Sequence, residues 1–397
     1  MMTFPPLSAA DDRAIVLELG RLADGGASGA LATVARVVGS AYRGVGARLL
    51  VRGDGSTLGM VSGGCLEGDL AARAAAVIAD GRAEVVTYDT RSGDDLVWGL
   101  GLGCEGVVEV LLEPLAPDTA RALATFLGRA RASATPCVVA TVFRAPDEAV
   151  RSVGARLLLD GEGATVASHG EVPASLAEAL REDACAMLRG DAPRARGTAR
   201  EYVVDERVLH VSLEPIVPPV RLVVCGAGPD AAPVARHATA LGWEVTVVDH
   251  RPRSALHGER FPGVAVTHCA ESRELARVVP LDARTHAVVM SHHFERDLGY
   301  LAALVAAEAP YVGLLGPRSR AERLFAEHRA RIAPLDEHTL ARVHAPVGLD
   351  LGGDDAEQVA LAIIAEVMAV SNGRRGGPLS KRNAPIHTPA DRASSHV

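Results

Sequence analysis

The first part of the chain contains an internal repeat, which limits the possible folds more than any other feature of the sequence. Ala32-Thr33-Val34 returns as Ala140-Thr141-Val142, and the five residues from Gly46 to Leu50 return from Gly154 to Leu158, both at an offset of 108 residues. Matches at one spacing indicate a structural unit that is present twice. The sequence therefore predicts tandem copies over about residues 14–115 and 120–216.

Each copy is predicted to be an α/β unit. In the first copy, apolar residues at helical spacing predict helices over 14–22 and 66–80. Runs rich in β-type residues predict strands over 30–38, 47–51, 57–61 and 107–114. The first 216 residues are thus expected to form a duplicated α/β domain.

A glycine-rich loop with a cysteine occurs in the first copy alone. Gly63-Gly64-Cys65 precedes the helix predicted at 66–80, whereas the second copy has Ser168-His169-Gly170-Glu171 at the corresponding place. Paired glycines can bring backbone N–H groups close to a bound oxyanion, and a helix N-terminus suits a reactive or ligand-binding cysteine. If the motif served folding only, the second copy should retain it. The difference between the copies therefore favours a functional role for Cys65 over a small buried hydrophobe.

A second glycine-rich segment, Gly99–Cys104, is also missing from the second copy. Glycines that alternate with apolar residues predict a loop that another group approaches closely, so Gly103 and Cys104 become candidates for a binding site. For Cys104 the functional and the structural interpretations stay equally open. Arg43 is a candidate cation near these loops, because a guanidinium group suits a phosphate.

The residues after about 217 carry a nucleotide-binding pattern. Gly226-Ala227-Gly228 follows a buried strand predicted at 221–225 and opens a helix, and the next predicted strand ends at Asp249. In this context Gly226 allows a tight turn, Gly228 lets a pyrophosphate reach the backbone, and Asp249 would accept a hydrogen bond from a ribose. Pro229 removes one N–H group from such a site. The pattern therefore indicates the nucleotide-binding fold more strongly than it indicates that a nucleotide is bound.

Further strands are predicted at 264–267, 287–290 and 311–315, with helical segments between them. This alternation predicts a Rossmann-like, doubly wound parallel sheet over 217–371. Since ligands bind beyond the carboxyl ends of such strands, His292, Asp297 and Arg318 are candidate site residues. The tail over 372–397 lacks periodicity and is predicted to be disordered.

Composition excludes several classes of partner. The formal net charge of -8 argues against nucleic acid, which proteins bind mainly through clustered Lys and Arg. An N-terminal signal pattern and a bilayer-length apolar run are both missing, so we expect a cytoplasmic protein without a membrane partner. The six cysteines lack CxxC spacing, which argues against a zinc site and a disulfide framework.

With these motifs in hand, the chain resembles the XdhC/CoxI family of xanthine dehydrogenase accessory factors. The resemblance rests on Gly59–Glu67, Gly101–Cys104, Gly226–Gly228, His292–Asp297, Tyr311–Gly316 and Ala345–Asp350. It implies a dimeric chaperone that binds molybdenum cofactor, protects it and delivers it in sulfurated form, with a sulfurase as partner, to xanthine dehydrogenase or a related molybdenum hydroxylase. It also implies that Cys65 binds the cofactor, as a residue that could contact the molybdenum. Glu105 and Pro229 stand where the family commonly has a glycine and a histidine.

We therefore expect a maturation factor that is not itself a catalyst. One alternative is an NAD(P)-dependent oxidoreductase that uses the Rossmann-like domain, and another is a redox-sensing scaffold that uses Cys65 and Cys104 as a dithiol pair. The cofactor is expected to be molybdopterin-type, with NAD(P) or another nucleotide as an open addition. The candidate cofactor-binding residues are Arg43, Gly63, Gly64, Cys65, Glu67, Gly103, Cys104, Gly226, Gly228, Asp249, His292, Asp297 and Arg318.

Overall fold

The structure is a computed structural model that describes residues 9–89, 106–146, 152–189, 196–204, 206–252 and 260–381. The chain divides into two compact units: the described residues up to Pro218 group with Leu379–Lys381, and Pro219–Pro378 form the second unit. Of the helices in these ranges, none combines the length and apolar character that crossing a bilayer requires.

Each half of the first unit runs in the order helix, three strands, helix, two strands. The first half consists of α1 (Ala9–Asp24), β1 (Gly29–Gly39), β2 (Arg48–Arg52), β3 (Thr57–Gly59), α2 (Glu67–Asp80), β4 (Glu84–Asp89) and β5 (Gly106–Leu115). The second half consists of α3 (Pro117–Arg131), β6 (Cys137–Arg144), β7 (Arg156–Leu159), β8 (Thr165–His169), α4 (Ala174–Leu188), β9 (Thr198–Val204) and β10 (Arg207–Ile216).

The strands of each half form a five-stranded antiparallel sheet. The strand orders, β3-β2-β1-β5-β4 and β8-β7-β6-β10-β9, are identical when corresponding strands are compared. Leu70, Ala74 and Val77 of α2 are buried against the first sheet, because their spacing places them on one face of the helix. The duplicated α/β domain predicted from the repeat is therefore confirmed.

Two buried ion pairs connect the copies reciprocally. Arg48 of β2 donates to Glu214 of β10, with Nη1 3.0 Å from Oε1, and Arg156 of β7 donates to Glu113 of β5, with Nη1 3.1 Å from Oε1. Both pairs are bidentate, since Nη2 of each arginine donates to the second carboxylate oxygen. The arginine side chains are 2% and 1% exposed. Each copy thus supplies the carboxylate for the arginine of the other.

The glycine that lies two residues before each arginine explains part of the repeated motif. Gly46 and Gly154 have positive φ angles of 95° and 87°, which glycine adopts at little cost. A Cβ atom on Gly46 would collide with the carboxylate of Glu214, and one on Gly154 would collide with that of Glu113. Close packing around the ion pairs therefore requires glycine at both positions.

The second unit is a six-stranded parallel sheet with helices on both faces. Its strand order is β13-β12-β11-β14-β15-β16, which is the Rossmann arrangement. The elements are β11 (Arg221–Cys225), α5 (Ala231–Ala240), β12 (Glu244–Asp249), β13 (Ala265–His268), α6 (Leu275–Val278), β14 (Thr285–Val289), α7 (Phe294–Ala306), β15 (Tyr311–Leu314), α8 (Arg318–Arg331), α9 (Glu337–Leu340), β16 (Val343–His344) and α10 (Ala356–Ser371).

The two faces of this sheet form separate apolar cores. Val223 and Val289 pack with α7 and α8 on one face, while Leu222 and Val288 pack with α5 and α10 on the other. The doubly wound sheet predicted from the sequence is confirmed. Beyond α10, the described part of the tail has one 3-10 turn at Leu379–Lys381, and residues 382–397 lie outside the described residues, so the predicted disorder of the tail stays a prediction.

Candidate functional site

The loop between β3 and α2 is built around the hydroxyl group of Ser62. This hydroxyl accepts hydrogen bonds from the backbone N–H groups of Gly64 at 3.2 Å, Cys65 at 3.0 Å and Leu66 at 3.0 Å. Ser62 itself is buried, whereas Gly63 and Gly64 are exposed and Cys65 is half-buried. The N–H groups of Gly64 and Cys65 are therefore already paired and do not form the oxyanion cradle that the two glycines suggest.

Glu67 holds Ser62 from the first turn of α2. Its Oε1 accepts from the N–H groups of Val61 at 3.1 Å and Ser62 at 2.8 Å, and its Oε2 accepts from the Ser62 hydroxyl and, at 3.2 Å, from the N–H group of Leu66. Burial favours the neutral acid, but these hydrogen bonds outweigh it and lower the pKa of Glu67. Glu67 thus stays ionised and shapes the loop.

We expect Ser62→Ala to loosen this loop without unfolding the protein. The N–H groups of Gly64 and Cys65 lose their acceptor, while that of Leu66 keeps Glu67 Oε2. Since the loop lies partly in water, the cost in unfolding free energy should be about 1–2 kcal/mol. Hydrogen exchange measured by mass spectrometry should show faster exchange over residues 62–68. Ser56→Ala, in the exposed turn between β2 and β3, is the matched control. Unchanged exchange in Ser62→Ala would show that the hydroxyl does not hold the loop.

Tyr42 lies beside the Gly63–Cys65 loop, a placement that the sequence analysis missed. A Cβ atom added to Gly63 would be 3.7 Å from the Tyr42 ring, and Tyr42 is 55% exposed. Arg43, the next residue of the same turn, is half-buried. The signal was available in the repeat, since position 150 of the second copy has valine where Tyr42 stands in the first, whereas Arg43 is matched by arginine.

Gly103 and Cys104 lie outside the described residues, and so their predicted roles stay predictions. Gly106, the first described residue after them, packs directly on the backbone of Ser40, where a Cβ atom would collide with the Ser40 carbonyl oxygen. Ser40 begins the turn that carries Tyr42 and Arg43. The first residue of β5 therefore meets the turn that flanks the Cys65 loop.

Exposure distinguishes Cys65 from most other cysteines that the structure describes. Cys137, Cys225 and Cys269 are buried, and burial raises the pKa of the Cys137 thiol to about 11. Cys185, in α4 of the second copy, shares the intermediate exposure of Cys65. Within the described ranges no group of three or more His, Cys, Asp or Glu side chains could hold a metal ion.

In the Rossmann-like unit, Asp249 is occupied by groups of the protein. Its carboxylate accepts from the N–H group of Ala227 at 2.8 Å and from the guanidinium of Arg251 at 2.8 and 2.9 Å. Burial raises its pKa, but the bonds from Arg251 and Ala227 prevail and lower the pKa to about 2. Asp249 is 2% exposed. It stabilises the glycine-rich turn, and its oxygens are not open to a ribose.

Gly228 also faces a carboxylate of the chain. A Cβ atom at Gly228 would collide with Asp230, whose Oδ2 lies 2.7 Å from Nε2 of His292. Gly226 has a φ of 129° and packs against the backbone of Met290. The structure thus brings Gly226, Gly228 and His292 close together, with the carboxylate of Asp230 beside Gly228.

Asp297 and Arg318 differ in their surroundings. Asp297 is 2% exposed and accepts from the Ser291 hydroxyl and, at 2.8 Å, from Nη2 of Arg320. Arg318 is exposed at the first residue of α8. Asp297 therefore holds the loop after β14, much as Glu67 holds the Cys65 loop, while Arg318 remains accessible to a ligand.

We expect the carboxylate of Asp230 to weaken nucleotide binding. Asp230→Ala should raise the affinity for NAD or ATP about tenfold or more, since two unit charges about 4 Å apart repel by roughly 1–4 kcal/mol at a protein surface. Titration calorimetry with NAD, NADP, ATP and CTP provides the measurement, with the exposed Glu322→Ala as control. Tight binding to the unaltered protein, with no gain in Asp230→Ala, would contradict this interpretation of the Rossmann edge.

Comparison with known proteins agrees with both units. The family described as "XdhC and CoxI family" matches residues 22–89, which include the Tyr42 turn and the Cys65 loop, and the "XdhC Rossmann domain" matches residues 222–367. The chain belongs to the XdhC/CoxI family. The resemblance inferred from the motifs is thereby confirmed.

Relatives of this family member match along most of its length. A Bacillus subtilis protein named as a probable subunit of xanthine dehydrogenase is 28% identical over 85% of this chain and 92% of its own. "Molybdenum cofactor insertion chaperone PaoD" of Escherichia coli is 25% identical over 87% of this chain and 84% of its own. A crystal structure titled as a xanthine dehydrogenase from Bacillus halodurans covers 94% of this chain and 98% of that chain, with 25% identity and a TM-score of 0.68.

Proposed function

We propose that this XdhC/CoxI protein is a molybdenum cofactor insertion chaperone that serves xanthine dehydrogenase or a related molybdenum hydroxylase. The observation that carries the proposal is the Cys65 loop. The loop carries a half-buried cysteine directly after two exposed glycines, the exposed Tyr42 lies beside Gly63, and the motif exists in one copy of a duplicated domain. A thiol is the kind of soft ligand that suits a metal surrounded by sulfur.

The loop fits a cofactor in which the metal is already coordinated by the cofactor's own sulfur atoms. Cys65 supplies one sulfur donor, and Ser62 and Glu67 fix the backbone that positions it. Arg43, in the adjoining turn, is the cation that we assign to the cofactor phosphate, because a guanidinium group pairs with phosphate oxygens. Gly103 and Cys104 are proposed to complete this site from the neighbouring segment. The protein's own residues thus hold and orient the cofactor without a chemical step.

The names of two relatives support the assignment of partners. One is named as belonging to xanthine dehydrogenase and the other as a molybdenum cofactor insertion chaperone. We extend this to a cofactor that is sulfurated by a sulfurase partner before delivery, and to a homodimer as the working assembly. The function is that of a maturation factor that is not itself a catalyst.

The alternatives receive less support. An NAD(P)-dependent oxidoreductase needs an open anion site, yet Asp249 is paired and Asp230 faces Gly228. A redox scaffold needs Cys65 to approach Cys104, which lies outside the described residues. His292 and Arg318 remain candidates for a nucleotide or a cofactor phosphate at the Rossmann edge.

Mass spectrometry of the protein purified anaerobically under mild conditions tests the proposal. We expect a molybdenum-bearing pterin in near-stoichiometric amount. Transfer is then measured by adding the loaded protein to a cofactor-free xanthine dehydrogenase and following urate formation. A protein that carries a dinucleotide instead of the pterin, or that carries no ligand and fails to retain added cofactor, would contradict the proposal.

A further inference from the structure

Tyr42 is exposed in a chain with few aromatic residues. Phenylalanine, tryptophan and tyrosine make up 3% of the sequence, and among the described residues Tyr42 is the one aromatic side chain in the exposed class, at 55%. The other described tyrosines, Tyr88, Tyr202, Tyr300 and Tyr311, are at least half-buried. Large, rigid and amphipathic, an exposed tyrosine is well suited to contact a ligand.

The turn that carries Tyr42 is anchored on both sides of the ring. Ala41, immediately before it, is 4% exposed and belongs to the core of the first copy. On the other side, Val45 packs directly against Gly197, and the N–H group of Gly46 donates to the Val34 carbonyl oxygen at 2.8 Å. The ring is therefore exposed on a fixed backbone, and its ordering does not have to accompany binding.

Among the described residues, the neighbours of the ring are small. Tyr42 lies against Gly63, which has no side chain, and a Cβ atom at Gly64 would meet no heavy atom of the described residues within 4 Å. Cys65 follows two residues after Gly63, so the thiol-bearing residue is within about 7 Å of Gly63 along the chain. The aromatic ring thus contacts the same loop that carries Cys65.

We propose that Tyr42 stacks on the planar pterin ring of the cofactor whose sulfur and metal end contacts Cys65. This inference rests on the proposed function and names the part of the cofactor that Tyr42 recognises. The repeat supports it, because the second copy has valine at the position of Tyr42 and lacks the Gly-Gly-Cys motif as well. The aromatic ring and the cysteine are thus confined to the same copy.

Three variants of the full chain test whether the Tyr42 ring stacks on the pterin. Tyr42→Val carries the residue of the second copy, Tyr42→Phe keeps the ring without its hydroxyl, and Cys65→Ala removes the sulfur donor. Retained molybdenum and pterin are measured after anaerobic purification, and the affinity for pterin-6-carboxylic acid, a stable flat anion, is measured by calorimetry. Tyr42→Val should lose about tenfold or more in affinity, as expected for loss of one stacked heterocycle, and Tyr42→Phe should retain it.

A fluorescence signature separates stacking from a structural role. Tyr42→Trp places a reporter at the site, and its emission should be quenched when pterin-6-carboxylic acid binds. Leu17→Trp, on α1, is the matched control because Leu17 is 56% exposed; its emission should change only by absorption of light by the added pterin.

The outcomes distinguish this inference from the proposed function. Loss of cofactor in Cys65→Ala together with full retention in Tyr42→Val and no quenching in Tyr42→Trp would overturn the stacking role and leave the chaperone assignment standing. Equal losses in Tyr42→Phe and Tyr42→Val would overturn stacking in favour of the hydroxyl. Absence of any pterin binding by the unaltered protein would overturn both.

Discussion

Cys65→Ala is expected to fold like the unaltered protein and to lose most of its bound molybdenum cofactor. The backbone N–H group of Cys65, not its thiol, bonds to Ser62, so alanine leaves the described hydrogen bonds of the loop in place. Groups that hold a metal site typically change metal affinity about 10- to 100-fold when removed. We therefore expect a loss of at least tenfold in retained cofactor, with little change in thermal stability.

Two cysteine variants provide the comparison. Cys185→Ala has the same intermediate exposure in the second copy and should retain the cofactor fully. Cys104→Ala should weaken retention less than Cys65→Ala does. Molybdenum and pterin contents after anaerobic gel filtration measure all three. A larger loss in Cys104→Ala would reverse the order of the two loops, and full retention in Cys65→Ala would remove the cysteine from the site.

Glu113→Ala is expected to be the most destabilising of the single substitutions considered for this chain. It leaves the guanidinium of Arg156, 1% exposed, without its carboxylate partner. Breaking a buried ion pair from one side typically costs about 3–5 kcal/mol, because a charge is left buried without compensation. Glu214→Ala should cost less, since Arg48 keeps a second carboxylate, Asp12, at 3.3 Å.

Chemical denaturation followed by circular dichroism, supported by calorimetry to separate the two units, measures these differences. Asp24→Ala is the control, because Asp24 forms an ion pair with Arg121 in which both side chains are more than half exposed, and such pairs contribute about 0–1 kcal/mol. The double variant Glu113→Gln with Arg156→Met should recover part of the loss. A loss in Glu113→Ala no greater than in Asp24→Ala would show that the pair is not held in the native state.

The sequence predicted the Rossmann-like unit well because its central strands, β11, β14 and β15, are buried on both faces. Residues 221–225, for example, are apolar after the first position, and the predicted strand coincides with β11. Parallel strands of this kind appear in a sequence as short apolar runs. Gly226 and Gly228 located the turn after β11. In the first unit, the repeat indicated the order of the helices and strands.

Two strands of the first unit were not predicted, for the opposite reason. In β4, Val86 is the buried residue of six, and β9 exposes three of its seven residues. Both are edge strands, so neither has a long apolar run or a strict alternation. Edge strands obtain much of their stability from backbone pairing with one neighbour, which residue types indicate poorly.

The sequence indicated the location of the candidate site, but it did not indicate which groups are hydrogen-bonded to each other there. The motif located the Cys65 loop, but it could not show that Ser62 pairs with two of the N–H groups assigned to a ligand. Likewise, Asp249 matched the ribose-binding pattern, while Arg251, two residues later, occupies it. Spacing identifies where polar groups gather, whereas the choice among competing partners depends on side-chain geometry.

The exchanged ion pairs of the first unit tie the two copies to each other. Arg48 takes its bidentate carboxylate from the second copy and Arg156 takes its own from the first, as in the reciprocal contacts of a symmetric dimer. Arg48 has a further carboxylate, Asp12, in its own half. A tandem unit of this kind permits a division of labour. The second copy can serve to complete the fold, while the first copy is free to carry longer loops with functional residues.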